Sequence, residues 1–316
     1  MDKKTAAGLL LAAAVIAALT LTPKQEAKNQ ATIRVSGAWA LYPLMVRWAD
    51  EYHKINPGVV VEVNAGGAGK GMADALSGLV DIGMISRDVD ESEIERGAYP
   101  IRVAKDAVVP TANKNNPAAK ELALRGLGRQ RFVEVFVSGG DVKWGDLTGR
   151  PDIQNKVIPY VRSDSCGAAE IWAKFLGVKQ EDLVGVGVNG DPGVAGAVSN
   201  DVWGLGFNNL NFAYDHKTGK PIGNLMVIPI DVNEDGKISG EEDFYGDRAG
   251  IIAAIADGRY PSPPARDLYI VTKNKPRDAT ADFILWILAE GQGYVAEEGY
   301  IPLRDEVVRD EAEAIR

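Results

Sequence analysis

The sequence is poor in the residues that most often carry covalent chemistry. It has 316 residues but a single cysteine, Cys166, and only two histidines, His53 and His216. One cysteine excludes a disulfide within the chain, so packing or bound ions must stabilise the fold. Neither histidine has an obvious nucleophile neighbour with which to form a Ser–His or Cys–His pair. We therefore expect a protein that is not an enzyme and that uses no organic cofactor.

Positive charge is also scarce. Lysine and arginine number 35 against 44 aspartates and glutamates, which gives a net charge of −9. A surface of this sign does not attract polyanions, so we expect no nucleic-acid partner. A small anion remains compatible with it, because the local field of a cleft need not follow the net charge. The length and the 46% hydrophobic content predict two domains with buried cores, and we expect a monomer.

The one long apolar run lies at the N-terminus. Lys3 and Lys4 precede it, it covers residues 6–21, and polar sequence follows. Its length of about sixteen residues is short of the roughly twenty that span a bilayer, and it suits the apolar core of a signal peptide. We predict that residues 1–27 are a signal peptide and that the protein is exported to the periplasm or the extracellular face. An uncleaved N-terminal anchor and a buried helix are the alternatives. A lipoprotein anchor would need a cysteine just after the run, and none is there.

Strand and helix patterns alternate after the leader. Strands are predicted at residues 33–35, 59–63 and 81–85, and the helices between them at 42–53 and 71–79. This alternation indicates an α/β fold with largely parallel sheets. Three further elements are strands at 103–110 and 268–272, which we place at crossings between two lobes, and a long C-terminal helix at 279–296.

Three apolar strands each run into a glycine-centred turn and then into a helix. The segments are Thr32–Leu44, Val59–Leu76 and Val157–Leu176. A helix N-terminus presents N–H groups without partners and a partial positive charge, and glycine lets a ligand approach this backbone closely. Several such turns in one cleft would form an anion site built mainly from backbone. The alternative for each turn is an ordinary strand–helix connection.

The turns differ in what their side chains offer. The second has four glycines within residues 66–71, but Lys70 is followed by Gly71, so it is not a Walker A loop. In the third turn, Arg162 can contact an oxyanion through its fork of donors. Cys166 is a packed or ligand-facing thiol in one interpretation and a nucleophile in another. After the strand at 81–85, Arg87 is either a ligand residue or a paired surface charge.

Residues 231–242 follow the pattern of a calcium loop. The pattern has side-chain ligands at positions 1, 3, 5, 9 and 12, a carbonyl at position 7 and a glycine, here Gly236, at position 6. A single site of this kind predicts structural Ca²⁺; an acidic solvated turn is the alternative. Residues 225–230 have a strand pattern, so a full helix–loop–helix hand is not expected. The predicted ligands are Asp231, Asn233, Asp235, the carbonyl of Lys237, Ser239 and Glu242.

Taken together, these segments resemble the phosphate-binding proteins of ABC transporters. The resemblance covers almost all of the chain after the leader, and the order and spacing of its segments match the family. The segments that carry it are SGAWALYPLMVRWADEY, NAGGAGKGMADALSGLVDIGMISRDVDESE, VAKDAVVPTANKNNP, WGDLTG, VRSDSCGAAEIWAKFL, DPGVAGAVSNDVWGLGF, DGRYPSPPARDLYIVT and FILWILAEGQGYVAEEGYIPL.

The resemblance implies a two-lobed periplasmic-binding-protein fold, in which each lobe is a mixed, mostly parallel sheet flanked by helices. Residues 28–110 and 266–316 would form lobe I, and residues 111–265 lobe II. Closure of the lobes would trap phosphate and present the closed form to an ABC permease in the membrane. The implied ligand-binding residues are Ala38, Trp39 and Ala40 in the first turn, Ala68 in the second, Ser86 and Arg87 after the third strand, and Arg162, Ser165, Cys166, Gly167 and Ala168 in the last turn.

The chain departs from the family at several of these positions. Hydroxyl side chains are usual where Ala68, Cys166 and Ala168 stand here. Each lost hydrogen bond to a charged ligand removes about 1.5–3 kcal/mol. Either Arg87 and Arg162 compensate, or the ligand is another oxyanion such as molybdate, tungstate or sulfate. A phosphatase-like extracellular hydrolase and a surface role in sensing or adhesion are further alternatives.

Overall fold

The computed structural model describes residues 31–316, in which β-strands and helices alternate. The strands are β1 Ala31–Gly37, β2 Val59–Ala65, β3 Ile82–Ile85, β4 Ala98–Asn113, β5 Ile158–Arg162, β6 Val186–Val188, β7 Gly204–Asn209, β8 Leu225–Val227 and β9 Ala265–Lys273. The α-helices are α1 Tyr42–Ile55, α2 Ala68–Ser77, α3 Glu91–Glu95, α4 Ala119–Arg125, α5 Arg129–Phe136, α6 Trp144–Thr148, α7 Gly167–Leu176, α8 Gly190–Asn200, α9 Leu210–Ala213, α10 Arg248–Asp257, α11 Asp278–Leu288, α12 Gly293–Glu297 and α13 Asp305–Ile315.

The strands form one mixed sheet in the order β2-β1-β3-β9-β4-β7-β5-β6, with β8 also paired to β4. Pairing is parallel at both ends of this order, where β1 joins β2 and β3, and β5 joins β6 and β7. It is antiparallel in the middle, around β4 and β9. The predicted α/β class and mixed sheet are confirmed, and the parallel strands are confined to the two ends of the sheet.

Buried apolar side chains form two large clusters. One, which we call lobe I, gathers side chains from β1–β3, α1, α2 and the C-terminal helices. The other, lobe II, gathers side chains from residues 107–265. Strands β4 and β9 contribute to both, since Val103 and Leu268 lie in the first cluster and Val108 and Ala265 in the second. These two strands therefore run from one lobe to the other, as their pattern predicted. The boundaries at residues 110 and 265 stay a prediction.

The predicted C-terminal helix over residues 279–296 is interrupted. Helix α11 ends at Leu288, Ala289 has backbone angles outside the helical region, and a 3₁₀ turn at 290–292 leads into α12. Glycine lowers helix stability by about 1 kcal/mol relative to alanine, and Gly291 and Gly293 both lie in this stretch. The carbonyl of Gly291 also accepts a hydrogen bond of 2.7 Å from Trp48 Nε1, which holds the break against α1.

None of the helices within residues 31–316 combines the length and the apolar character that a membrane span requires. The leader predicted at residues 1–27 lies outside the described residues.

Candidate functional site

The glycine turns of lobe I are tied together by their backbone. The carbonyl of Gly37, at the end of β1, accepts hydrogen bonds from the N–H groups of Gly66 and Gly67, at 2.9 and 3.0 Å. Gly37 and Gly67 both have positive φ angles, of 136° and 92°, which glycine adopts without strain. The N-termini of α1 and α2 are thereby brought to one place at the edge of the sheet.

The third turn, at the start of α7, lies against the turns of lobe I. A Cβ built on Gly67 would be 2.7 Å from the carbonyl oxygen of Ser165, and one built on Gly69 would be 2.7 Å from its Oγ. Gly167 lies directly against Ser86, which follows β3. The structure therefore brings the predicted turns together across the cleft, with backbone packed closely against backbone.

Several backbone N–H groups at the starts of three helices have no acceptor among residues 31–316. Cys166 is not one of them, because its N–H donates to Gln180 Oε1 at 3.3 Å. An N–H group at a helix start that lacks a partner is an anion donor. Ala38 differs, because its N–H donates to the carbonyl of Met84 at 2.8 Å. The residues with free N–H groups are Trp39, Ala40, Ala68, Gly167 and Ala168.

The side chain of Trp39 reaches from lobe I to lobe II. Its ring packs edge-on against Phe212, with ring centroids 6.4 Å apart, and it also contacts Tyr42. A Cβ built on Gly190 would lie 3.2 Å from the indole. The start of α8 thus needs glycine to accept this ring, and Trp39 closes one side of the cleft.

Arg162 is buried and held by two carboxylates. Its Nη1 donates to Asp191 Oδ2 at 2.6 Å, and its Nε and Nη2 donate to the two oxygens of Asp164 at 2.8 and 2.5 Å. Burial opposes its charge, but Asp191 and Asp164 outweigh that effect and raise its pKa. Burial also opposes the ionisation of Asp164, and its hydrogen bonds with Arg162 nevertheless hold its pKa below the ordinary value. The arginine orders the turn and is not a free cation for a ligand.

Arg87 is paired as well. It forms a two-pronged contact with Glu93, at 2.8 and 2.6 Å, and a 3.2 Å ion pair with Glu170 of lobe II. The hydrogen bonds to Glu93 are the main reason that its pKa is raised. The predicted compensation for missing hydroxyls by Arg87 and Arg162 is therefore limited, since both guanidinium groups are already engaged by carboxylates.

Cys166 caps α7. Its Sγ accepts a hydrogen bond from the N–H of Ala169 at 3.4 Å, the role that serine or threonine often has at this position. Burial raises the pKa of its thiol to about 12. A thiol with this pKa is not ionised near neutral pH, which removes the basis for a nucleophile. His53 and His216 are exposed on other elements.

A buried pair of charged side chains, not predicted from the sequence, lies where the paired strands β4 and β9 run from one lobe to the other. Asp106 and Arg266 are partners in the strand register, and their side chains come within 3.8 Å. Burial raises the pKa of Asp106 to about 6. Arg266 donates to Asn209 Oδ1, while its Nε and Nη1 have no hydrogen-bond partner in the described part of the chain. An aspartate inside the apolar stretch 103–110 was the signal that could have revealed this pair. The fully buried Asp191 was also missed.

The loop at 231–242 adopts the turn geometry that its pattern predicts. Asp231 Oδ2 accepts from the N–H of Gly236, Asn233 Oδ1 from that of Asp235, and Asp235 Oδ1 from that of Lys237, each at 2.9 Å. β8 precedes the loop, so no helix–loop–helix hand is formed. Within residues 31–316, no group of three or more His, Cys, Asp or Glu side chains is gathered as around a bound metal ion. The predicted calcium site stays a prediction at this point.

Comparison with known proteins assigns the chain to a family. The sequence model described as "PBP superfamily domain" matches residues 22–290. Phosphate-binding protein PstS of Methanocaldococcus jannaschii is 26% identical, over 90% of this chain and 85% of that protein. Phosphate-binding protein PstS of Pseudomonas aeruginosa is 27% identical, over 94% of this chain and 92% of that protein.

Solved structures agree on the fold. A phosphate ABC transporter substrate-binding protein with bound phosphate, from Clostridium perfringens, superposes with a TM-score of 0.69 at 21% identity, covering 86% of this chain and 100% of that one. An ABC-type phosphate transport receptor from Vibrio cholerae gives 0.61 at 20% identity, with the same coverage. The family model, which matches residues 22–290, shows that the chain belongs to the PBP superfamily.

Proposed function

We propose that the protein is an exported receptor that captures inorganic phosphate between its two lobes and delivers it to an ABC importer. The observation that carries the proposal is the meeting of helix N-termini from both lobes, with unpartnered N–H groups at Trp39, Ala40, Ala68, Gly167 and Ala168. Such groups bind anions through the backbone and the helix dipole. The relatives named above as phosphate-binding proteins support phosphate as the ligand.

A role in binding is better supported than a role in catalysis. The only thiol is a buried helix cap with a raised pKa, and the two arginines of the site are engaged by carboxylates. Nothing in these contacts activates a nucleophile, whereas the packing of Gly167 against Ser86 suits lobes that close around a ligand. Export, a monomeric state and a membrane permease as partner belong to the same proposal.

A fully deprotonated oxyanion such as sulfate, molybdate or tungstate is the second candidate ligand. Phosphate near neutral pH carries a proton and needs an acceptor, whereas these dianions need donors only. Asp164 and Asp191 are both occupied by Arg162, and Arg87 is paired with Glu93. The free groups at the described turns are therefore N–H donors, which is the observation that favours this second candidate.

The proposal is tested by calorimetric titration of protein that has been unfolded to remove any bound ligand and then refolded. We expect phosphate to bind with one site per chain, and sulfate, molybdate and tungstate to compete weakly near pH 7.5. Binding of sulfate or molybdate that excludes phosphate would establish the second candidate. Absence of binding by all four anions would reject an oxyanion receptor. Mass spectrometry of the ligand retained after native purification gives an independent answer.

A further inference from the structure

We propose that the loop 231–242 binds a calcium ion that stabilises lobe II, independently of the anion cleft. The ligands would be the side-chain oxygens of Asp231, Asn233, Asp235 and Glu242 and the backbone carbonyl of Lys237, with Ser239 acting through water.

The independent support comes from an orphaned carboxylate oxygen. Asp231 is only 5% exposed, and its Oδ1 has no hydrogen-bond partner within residues 31–316, although its Oδ2 accepts from Gly236. Among residues 31–316, no lysine or arginine forms an ion pair with Asp231 or with Glu242. A buried carboxylate oxygen without a donor or a counter-charge is costly, and a cation bound at Oδ1 would satisfy it.

Glu242 supplies a second unpartnered oxygen at the other end of the loop. Its Oε1 accepts from the N–H of Val232 at 2.9 Å and from that of Asn233 at 3.3 Å, while its Oε2 is buried without a partner. These bonds hold the carboxylate of position 12 over the residues that follow position 1. The first and last ligands of the pattern therefore lie in the same part of the loop. Each has one carboxylate oxygen without a hydrogen-bond partner among the described residues.

The chemistry of the donors selects a hard divalent cation. Every side-chain ligand in the pattern offers oxygen, and residues 231–243 contain six carboxylates against one lysine. Calcium accepts six to eight oxygens in flexible geometry, including a two-oxygen glutamate, whereas magnesium requires a small octahedron and retains its waters. A twelve-residue loop that ends in glutamate therefore favours calcium over magnesium. Closure around the ion requires the ligand side chains to come closer together, because within residues 31–316 they are not gathered as around a bound metal.

The contacts of the loop indicate what the ion would stabilise. The N–H of Ile238 donates to the carbonyl of Leu124 at 2.9 Å, and that of Asp231 to Leu127 at 3.2 Å. A Cβ on Gly126 would lie 2.7 Å from the end of the Ile238 side chain, so this side chain packs onto the link between α4 and α5. A loop ordered by the ion would thus hold the start of lobe II in place. Removal of the ion should therefore lower the melting temperature and leave the anion turns unchanged.

Calcium titration of three proteins tests the proposal: the wild type, Glu242→Gln, and Glu241→Gln as the matched control. Glu241→Gln removes the same charge one residue away, at a position that the pattern does not use. After chelator treatment and dialysis into phosphate-free buffer, we expect calcium to raise the melting temperature of the wild type and of Glu241→Gln by about 3–5 °C. We expect calorimetry to show one site per chain with a Kd of about 10⁻⁴–10⁻³ M, and Glu242→Gln to lose both effects.

Three outcomes would overturn the proposal: no heat of calcium binding in the wild type, equal shifts of the melting temperature in all three proteins, or an affinity for magnesium equal to that for calcium. If Glu242→Gln does not fold, Asn233→Ala, at an exposed position, replaces it, and we expect it to lose the same calcium effects. Anion titration of the same samples separates this inference from the proposed function, because phosphate binding should be unchanged by chelation.

Discussion

Replacing Gly167 with alanine should prevent the lobes from closing while leaving each lobe folded. Gly167 is the first residue of α7 in lobe II and lies against Ser86 of lobe I. A Cβ at this position would lie 2.6 Å from the carbonyl carbon of Ser86, whereas ordinary contact begins at 3.4 Å, and it would overlap the carbonyl oxygen. The obstacle is backbone, so no change of rotamer relieves it.

The size of the effect follows from this overlap. The lobes must separate by at least the difference between 3.4 and 2.6 Å at this point, and overpacking of this kind costs about 1–3 kcal/mol. If that cost falls on the closed form alone, the apparent affinity for the anion falls by about 5- to 150-fold. The backbone of Gly167 does not require glycine by its own φ angle, so we expect the melting temperature without ligand to stay near that of the wild type.

Calorimetry with phosphate and small-angle X-ray scattering measure the two consequences. We expect Gly167→Ala to bind phosphate weakly and to show a larger radius of gyration in its presence than the wild type. Gly196→Ala in α8 is the matched control, because a Cβ there meets nothing within 4 Å, and it should bind as the wild type does. Adding Ser86→Ala should not rescue binding, since the Ser86 carbonyl remains. Wild-type affinity together with wild-type compaction in Gly167→Ala would refute the reasoning.

Three further predictions concern buried groups. Asp191→Asn breaks the buried pair with Arg162 and should lower the free energy of unfolding by about 3–5 kcal/mol, as measured by urea denaturation; a loss under 1 kcal/mol would contradict this. Burial raises the pKa of Asp106 from 3.8 to about 6 in the fold. Protonated Asp106 therefore makes its full contribution to the free energy of unfolding below about pH 4, and this contribution is lost as the pH rises through 6. Asp106→Asn should flatten the stability curve over that window by up to roughly 3 kcal/mol, and an unchanged curve would count against it. Cys166→Ser restores a hydroxyl beside the free N–H groups and should strengthen phosphate binding about tenfold by calorimetry; weaker binding would show that the side chain packs without facing the ligand.

Much of the fold was accessible from local patterns. The strands predicted at 33–35 and 59–63 occur as parts of β1 and β2, and the one predicted at 81–85 occurs as β3 without its first residue, because apolar β-branched runs bounded by glycine turns specify strands locally. The long C-terminal helix was extended too far. Its break depends on two glycines and on a contact with Trp48, which lies more than 200 residues away in the chain, and no local pattern reports such a contact.

The sequence predicted the backbone turns of the candidate site, but not the ion pairs of its charged side chains. Glycine density marked the turns because the close approach of the lobes at Gly67 and Gly167 leaves no room for a side chain. The pairing of Arg87 with Glu170, and of Arg162 with Asp191, joins residues 83 and 29 positions apart. Sequence alone offered Arg162 as a donor to the anion and Arg87 as either a ligand residue or a paired surface charge, since it does not show which carboxylates the fold brings to them.

By itself the sequence determined the α/β alternation, the positions of the glycine turns and the oxygen pattern of the loop 231–242. Each of these is encoded by neighbouring residues, through hydrophobic period, backbone freedom or ligand spacing. The tertiary structure decided that the turns meet between two lobes, that both arginines of the site are already paired, and that Asp106 and Arg266 lie buried where β4 and β9 cross. These features depend on which distant groups share a desolvated space, and only the packed chain specifies that.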